Sequence, residues 1–213
     1  MKNAIKKELV ELWSFLQRYV SEIIVIGFGT LFLTLDKYHP LSYQWLSALV
    51  YFWVLPIITI IIFLRKNPLD FGFRLGNYRI WGLHVIVIVM VSTPVLILVS
   101  RFASLSDYYT LEGFSLWKYS LETIVYMIAW EFLFRGFMLF GLKEKLGEAS
   151  ILVQIIPFVL LHFGKPEMET ISTILVGIYL GYVCLRSNSY WPAVIMHLYI
   201  NIGFRVIVNF FSV

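Results

Sequence analysis

Five polar side chains that could do acid–base chemistry stand in stretches that are otherwise apolar. Two pairs among them are four residues apart, and this spacing puts both members of a pair on one face of a helix. An ionisable group at bilayer depth costs roughly 2.5–3.5 kcal/mol on insertion scales, so it usually lines a cavity or a functional site. The five residues are Glu131, Arg135, His162, His197 and Asn201.

These residue types are suited to the hydrolysis of a peptide bond. Glu131 could be a general base that deprotonates water, and His162 could share the water or protonate the leaving amine. His197 and Asn201 supply N–H donors for a developing oxyanion. Alternatively, Glu131, His162 and His197 are a plausible zinc set with an open fourth position, although the local H-E-x-x-H spacing is absent.

Each of these residues also has a structural interpretation. Glu131 and Arg135 could form a neutralised ion pair that holds a helix bundle together, and His197 with Asn201 could clasp a neighbouring helix. His162 could be a buried histidine whose hydrogen bonds are satisfied. Counting at ~1.5 Å per residue from the expected helix ends puts all five at similar depths, which favours one shared pocket.

The composition is that of a membrane protein. The chain has 213 residues, of which 60% are hydrophobic and 14% charged. Soluble domains have about 45–50% apolar and about 25% charged residues. The length fits a single integral-membrane domain over residues 1–213. No block of basic residues with interleaved aromatics suggests binding to nucleic acid, so the expected partners are the lipid bilayer and a substrate. The composition does not predict whether the protein is a monomer or an oligomer.

The apolar stretches predict an all-α bundle of about seven transmembrane spans, with a range of six to eight. Before the first of them, apolar residues recur at helical spacing among charged residues. This pattern predicts an amphipathic lead-in helix along the inner membrane surface. The fifth span is short and ends at Gly164-Lys165-Pro166, so we expect it to be a broken helix that lines a cavity. The predicted spans are 20–35, 46–64, 80–100, 119–142, 150–163, 170–186 and 191–211.

The distribution of basic residues predicts the orientation of the chain. The chain has 17 Lys and Arg residues. In the predicted arrangement of spans, eleven of them lie on the same side of the membrane as the N-terminus and four on the opposite side. Because cytoplasmic loops carry the excess of Lys and Arg, the N-terminus is expected inside. The predicted location is therefore a multi-pass position in a plasma membrane.

Three motifs on separate predicted spans resemble the CPBP family of intramembrane endopeptidases, which includes Rce1-like CAAX proteases and bacteriocin-immunity (Abi) proteins. They read WEFLFRG at 130–136, FVLLH at 158–162 and HLYIN at 197–201. The flanks LDFGFRLG, IPFVLLHFGKPE and GIYLGYVCLRSNSYWPAVIMH are also similar to this family. The likeness covers most of residues 65–205 and implies that the plasma membrane is a bacterial one.

The resemblance implies roles for the matched residues. Glu131 and Arg135 correspond to the second glutamate and the arginine of the family's Glu-Glu-x-x-x-Arg motif. His162 corresponds to the histidine that positions water, and His197 with Asn201 to the oxyanion-binding pair. The first glutamate, which activates the water in the family, corresponds here to Trp130.

Two functions follow as hypotheses from this combination. The first is an intramembrane endopeptidase, glutamic-type or metal-dependent, in which Glu131 and His162 activate water and His197 with Asn201 bind the oxyanion. Its substrate would be a peptide or a membrane-protein segment. The alternative, motivated by Trp130, is an inactive relative that binds peptides as a bacteriocin-immunity or regulatory protein. A transporter that moves a proton through Glu131 and the histidines is a third hypothesis.

Overall fold

The computed structural model describes residues 1–211 of the chain, and these residues form an all-helical bundle, as predicted. The described residues contain no β-strand beyond a single isolated bridge between Phe163 and Lys165. In chain order the helices are α1 (Lys2–Arg18), α2 (Val20–Tyr38), α3 (Gln44–Leu64), α4 (Tyr78–Val99), α5 (Ala103–Tyr109), α6 (116–146), α7 (Ser150–Leu160), α8 (Glu167–Ser187) and α9 (Trp191–Phe210).

Five helical runs in the described part of the chain are long and apolar enough to cross a membrane. A sixth is counted if α1 and α2 together form one bent span. Six is the lower limit of the predicted range. Helix α7 has only 11 residues, too few to count as a span by itself, and the short 3-10 turn Gly147–Ala149 joins it to α6. It is therefore counted with α6 in the run Leu116–Leu160, although it folds back on α6.

The N-terminal lead-in also has the predicted form. Helix α1 meets α2 at an angle of 76°. Its apolar side chains, Leu9 and Trp13 among them, are exposed rather than packed against the bundle. This free apolar face fits the predicted position of α1 along the membrane surface, which stays a prediction.

The run Leu116–Leu160 is the centre of the bundle. Of its most apolar window 78% is buried inside the protein, whereas none of the corresponding window of α4 is buried. Helix α7 contacts the second half of α6, and the ring centroids of Phe134 and Phe158 are 5.3 Å apart. Because the second half of α6 is surrounded by other helices, Glu131 and Arg135 are shielded from lipid.

The short fifth span ends as the sequence predicts. Helix α7 has 11 residues and stops at Leu160, so it is only ~16 Å long. Gly164 has φ of 93°, a left-handed conformation that glycine adopts without strain, and α8 begins after Pro166. His162 therefore lies in the turn between two helices, where side chains from several elements can reach it.

Gly177 lets α8 approach α7 closely beside the predicted site. A Cβ atom at this position would collide with Ile155 Cδ1 and lie 3.1 Å from Phe158 Cδ1. We expect Gly177→Ala to destabilise the protein by ~1–3 kcal/mol, because both side chains would have to move in a filled interior. The measurement is the midpoint of thermal unfolding in detergent.

Gly82 provides the matched control for this prediction. It is also inside a membrane helix, but a Cβ atom there meets nothing within 4 Å. Gly82→Ala should leave the midpoint unchanged or raise it, since alanine is the better helix former by about 1 kcal/mol. Equal effects of the two substitutions would contradict the proposed close approach of α7 and α8.

Candidate active site

Glu131 and Arg135 form a fully buried ion pair on the central helix. Arg135 Nη1 lies 2.9 Å from Glu131 Oε2 and donates a hydrogen bond to Oε1 at 3.2 Å. The segment Phe132–Met138, which includes Arg135, is a π-helical turn, and such turns occur frequently at functional sites. The predicted pairing on one helix face is confirmed.

The Arg135 guanidinium has a second partner in Phe158. Its Cζ atom lies over the aromatic ring, 4.0 Å from the centroid. Such a cation–π contact is worth about 2 kcal/mol or more where water is excluded. Arg135 Nε and Nη2 have no hydrogen-bond partner among the described residues. Glu131 and the Phe158 ring are therefore the groups that offset its charge.

His197 of α9 reaches the same carboxylate. Its Nδ1 atom is 2.6 Å from Glu131 Oε1, across 66 residues of sequence. Of the His197 side chain 16% is exposed, whereas Glu131 has no exposed surface. A carboxylate at one ring nitrogen fixes the orientation and the tautomer of an imidazole. Nδ1 is therefore occupied by the contact with Glu131, and Nε2 is the ring nitrogen that is available for another hydrogen bond.

His162 is held in a similar way by a different acceptor. Its Nδ1 atom lies 2.7 Å from the carbonyl oxygen of Phe158. Its own carbonyl accepts a hydrogen bond from Thr170 Oγ1 at 2.9 Å, which ties the turn after α7 to α8. Since a carbonyl oxygen can only accept, Nδ1 carries the proton and Nε2 of the neutral ring has the lone pair.

A cavity of ≈ 390 Å³ brings three of the predicted residues together. His162, His197 and Asn201 line it, with Phe158 beside them, and the rest of its wall is mostly apolar. Its volume is within the range of small-molecule sites. Glu131 and Arg135 lie behind the wall, because neither has exposed surface. His197 is the connection between their charges and the cavity.

Asn201 stands where two cavities meet. It lines the apolar cavity and also a more polar one of ≈ 300 Å³, whose wall includes Tyr119. The Tyr119 hydroxyl donates a hydrogen bond to Asn201 Oδ1. The amide nitrogen Nδ2 is left as the donor of this side chain. Sequence reasoning did not single out Tyr119, which lies 82 residues away, and we find no spacing signal that links the two.

Trp130 occupies a packed aromatic environment next to the site. Its indole ring is 8% exposed and meets the His162 ring edge to face, with 6.0 Å between centroids. The other rings that it contacts belong to Phe52, Tyr126, Phe134 and Phe158. The position that the family resemblance assigns to a first glutamate is thus filled by an apolar ring.

The predicted zinc ligands do not form a three-residue set. Among residues 1–211 no group of three or more His, Cys, Asp or Glu side chains is arranged to hold a metal ion. The Glu131 carboxylate is directed to Arg135 and to His197 Nδ1. The dependence of activity on zinc stays a prediction, which a chelator tests directly.

Comparison with known families gives one match. Residues 112–203 match the family model described as type II CAAX prenyl endopeptidase Rce1-like. All five predicted site residues lie in this segment. No curated protein and no solved structure matches the chain. The segment of this multi-pass membrane protein that carries the candidate active site is therefore similar to the Rce1-like family.

Proposed function

We propose that this protein is an intramembrane endopeptidase that hydrolyses a peptide bond in a peptide or in a membrane-protein segment. The observation that carries the proposal is the 2.6 Å contact between His197 and Glu131 beside a cavity that His162 and Asn201 also line. The similarity of residues 112–203 to a protease family supports the same conclusion. The apolar wall of the cavity suits a substrate that arrives from the bilayer.

The proposed water activation involves Glu131, His162 and His197. Of these three residues only the two histidines line the cavity. In each imidazole Nδ1 is occupied by a hydrogen bond, and Nε2 is available. An imidazole Nε2 accepts a proton as the water oxygen attacks the carbonyl carbon of the peptide bond. Glu131 acts from behind the cavity wall, because its carboxylate stabilises the imidazolium that forms at His197.

Asn201 and His197 face the intermediate that results. The tetrahedral oxyanion can accept a hydrogen bond from Asn201 Nδ2, and protonated His197 offers a second donor through Nε2–H. When the carbon–nitrogen bond breaks, the proton taken from water passes to the leaving amine. The products are a carboxylate and an amine, so no further reactant is consumed.

A cleavage assay tests this proposal. The purified protein in nanodiscs should cleave members of a fluorogenic peptide library, and His197→Ala should lower turnover by at least ~10³-fold because the imidazole acts in the transition state. His39→Ala is the matched control, since His39 is exposed at the end of α2. Loss of activity in chelator would assign a metal to the site.

Trp130 favours a second candidate function, a peptide-binding relative without catalysis. Its packed ring leaves the first-glutamate position without a carboxylate. Peptides that bind to folded protein but are never cleaved would support this function. Cleavage by Trp130→Glu alone would show that the scaffold is competent and that the natural protein is a binder. Cleavage by the wild type would exclude this alternative.

A further inference from the structure

Tyr119 of α6 determines which way the Asn201 amide faces. An asparagine side chain has an acceptor oxygen and a donor nitrogen on opposite sides. The Tyr119 hydroxyl bonds Oδ1 from the polar cavity, which places Nδ2 as the polar atom available to the apolar cavity. If the amide were reversed, its oxygen would face the oxyanion and repel it.

The tyrosine ring is held by groups other than Asn201. The Phe114 ring packs against it with 5.6 Å between centroids. The guanidinium of Arg205 lies over its face, with Cζ 5.2 Å from the centroid. Arg205 is itself anchored, since it donates a hydrogen bond to the Tyr109 carbonyl. The hydroxyl is therefore positioned by the surrounding structure and can impose an orientation on the amide.

We propose that Tyr119 is a positioning residue that holds the Asn201 amide with its N–H donors towards the cavity. The inference rests on the proposed endopeptidase function, and it assigns a role to a residue outside the three motifs. Tyr119 does not touch the reacting atoms. Its effect is exerted only through Asn201, so it should disappear when Asn201 is removed.

A double-mutant cycle tests this dependence. Tyr119→Phe keeps the ring and removes only the hydroxyl, so we expect kcat to fall by about 10–100-fold, as for other residues that orient a functional group, with KM nearly unchanged. In the Asn201→Ala background the same substitution should have almost no further effect on kcat. Tyr199→Phe is the matched control, because it also removes a tyrosine hydroxyl, but one that forms a hydrogen bond with Thr93, at 2.6 Å, and not with Asn201.

The possible results separate clearly. Wild-type kcat in Tyr119→Phe, or effects of Tyr119→Phe and Asn201→Ala that multiply in the double variant, would overturn the proposal. A KM increase without loss of kcat would indicate a contribution to substrate binding and would also overturn it.

A second readout does not require activity. The chain has six asparagines, so selective ¹⁵N-Asn labelling gives six side-chain amide pairs in NMR spectra. The Asn201 pair is identified by its loss in Asn201→Ala. Tyr119→Phe should move this pair and leave those of Asn67 and Asn188 in place, whereas an unmoved Asn201 pair would overturn the proposal. If the wild type cleaves no peptide while the pair shifts, the proposed function fails and the positioning contact stands.

Discussion

Glu131→Gln is expected to lower turnover by ~10⁴-fold, the largest effect on activity that we predict for this protein. The substitution preserves the size of the side chain but removes the negative charge. Glutamine cannot stabilise an imidazolium at His197, and its amide group can impose the wrong tautomer on the ring. The measurement is kcat on any peptide that the wild-type protein cleaves.

The fold must be controlled separately, because Glu131→Gln leaves the Arg135 guanidinium without a counter-charge. Glu131→Gln/Arg135→Met removes both charges. It is the control variant that is expected to be folded but inactive. Glu148→Gln, in the exposed turn before α7, is the matched surface substitution and should retain full activity. Turnover within about tenfold of the wild type in Glu131→Gln would remove Glu131 from the mechanism.

Arg135→Met is expected to destabilise the protein by ~3–5 kcal/mol, the largest effect on stability that we predict, since it leaves a buried carboxylate without its partner. Methionine fills most of the same volume, so the loss arises mainly from the charge. Glu131 has no exposed surface through which water could compensate. The measurement is the midpoint of thermal or denaturant unfolding in detergent.

The reversal of this effect is the decisive part of the test. Glu131→Gln/Arg135→Met should recover most of the lost stability, because a neutral pair in an apolar interior carries little desolvation cost. Additive destabilisation in the double variant would contradict the Glu131–Arg135 ion pair as the main source of the effect. It would indicate that Glu131 and Arg135 each stabilise the bundle through other groups, with His197 and Phe158 as the candidates.

The sequence by itself determined the class of the fold and the candidate site residues. Long apolar stretches can satisfy their backbone hydrogen bonds in a bilayer only as helices, so an all-α membrane protein follows from composition. The i, i+4 spacing of Glu131 and Arg135 gave their pairing directly. The break at Gly164 gave the end of the short helix before His162.

The span count depended on a feature that local sequence does not show. The prediction of seven counted 150–163 as a span of its own, whereas α7 has only 11 residues, folds back on α6 and is counted with it in the run Leu116–Leu160. Likewise the first span, 20–35, meets the length and composition criterion only together with α1. Apolar length sets a minimum for crossing a membrane, but the path of the chain between helices depends on turns and packing.

Only the tertiary structure decided which residues of the site contact one another and which of them reach the cavity. Spacing predicted that Glu131, His162, His197 and Asn201 converge, but it could not say that Glu131 lies behind the cavity wall and reaches it through His197. Nor could it find Tyr119, whose contact with Asn201 joins helices that are distant in sequence. Helical periodicity carries information about one helix face, whereas a contact between faces of different helices is fixed by packing of the whole bundle.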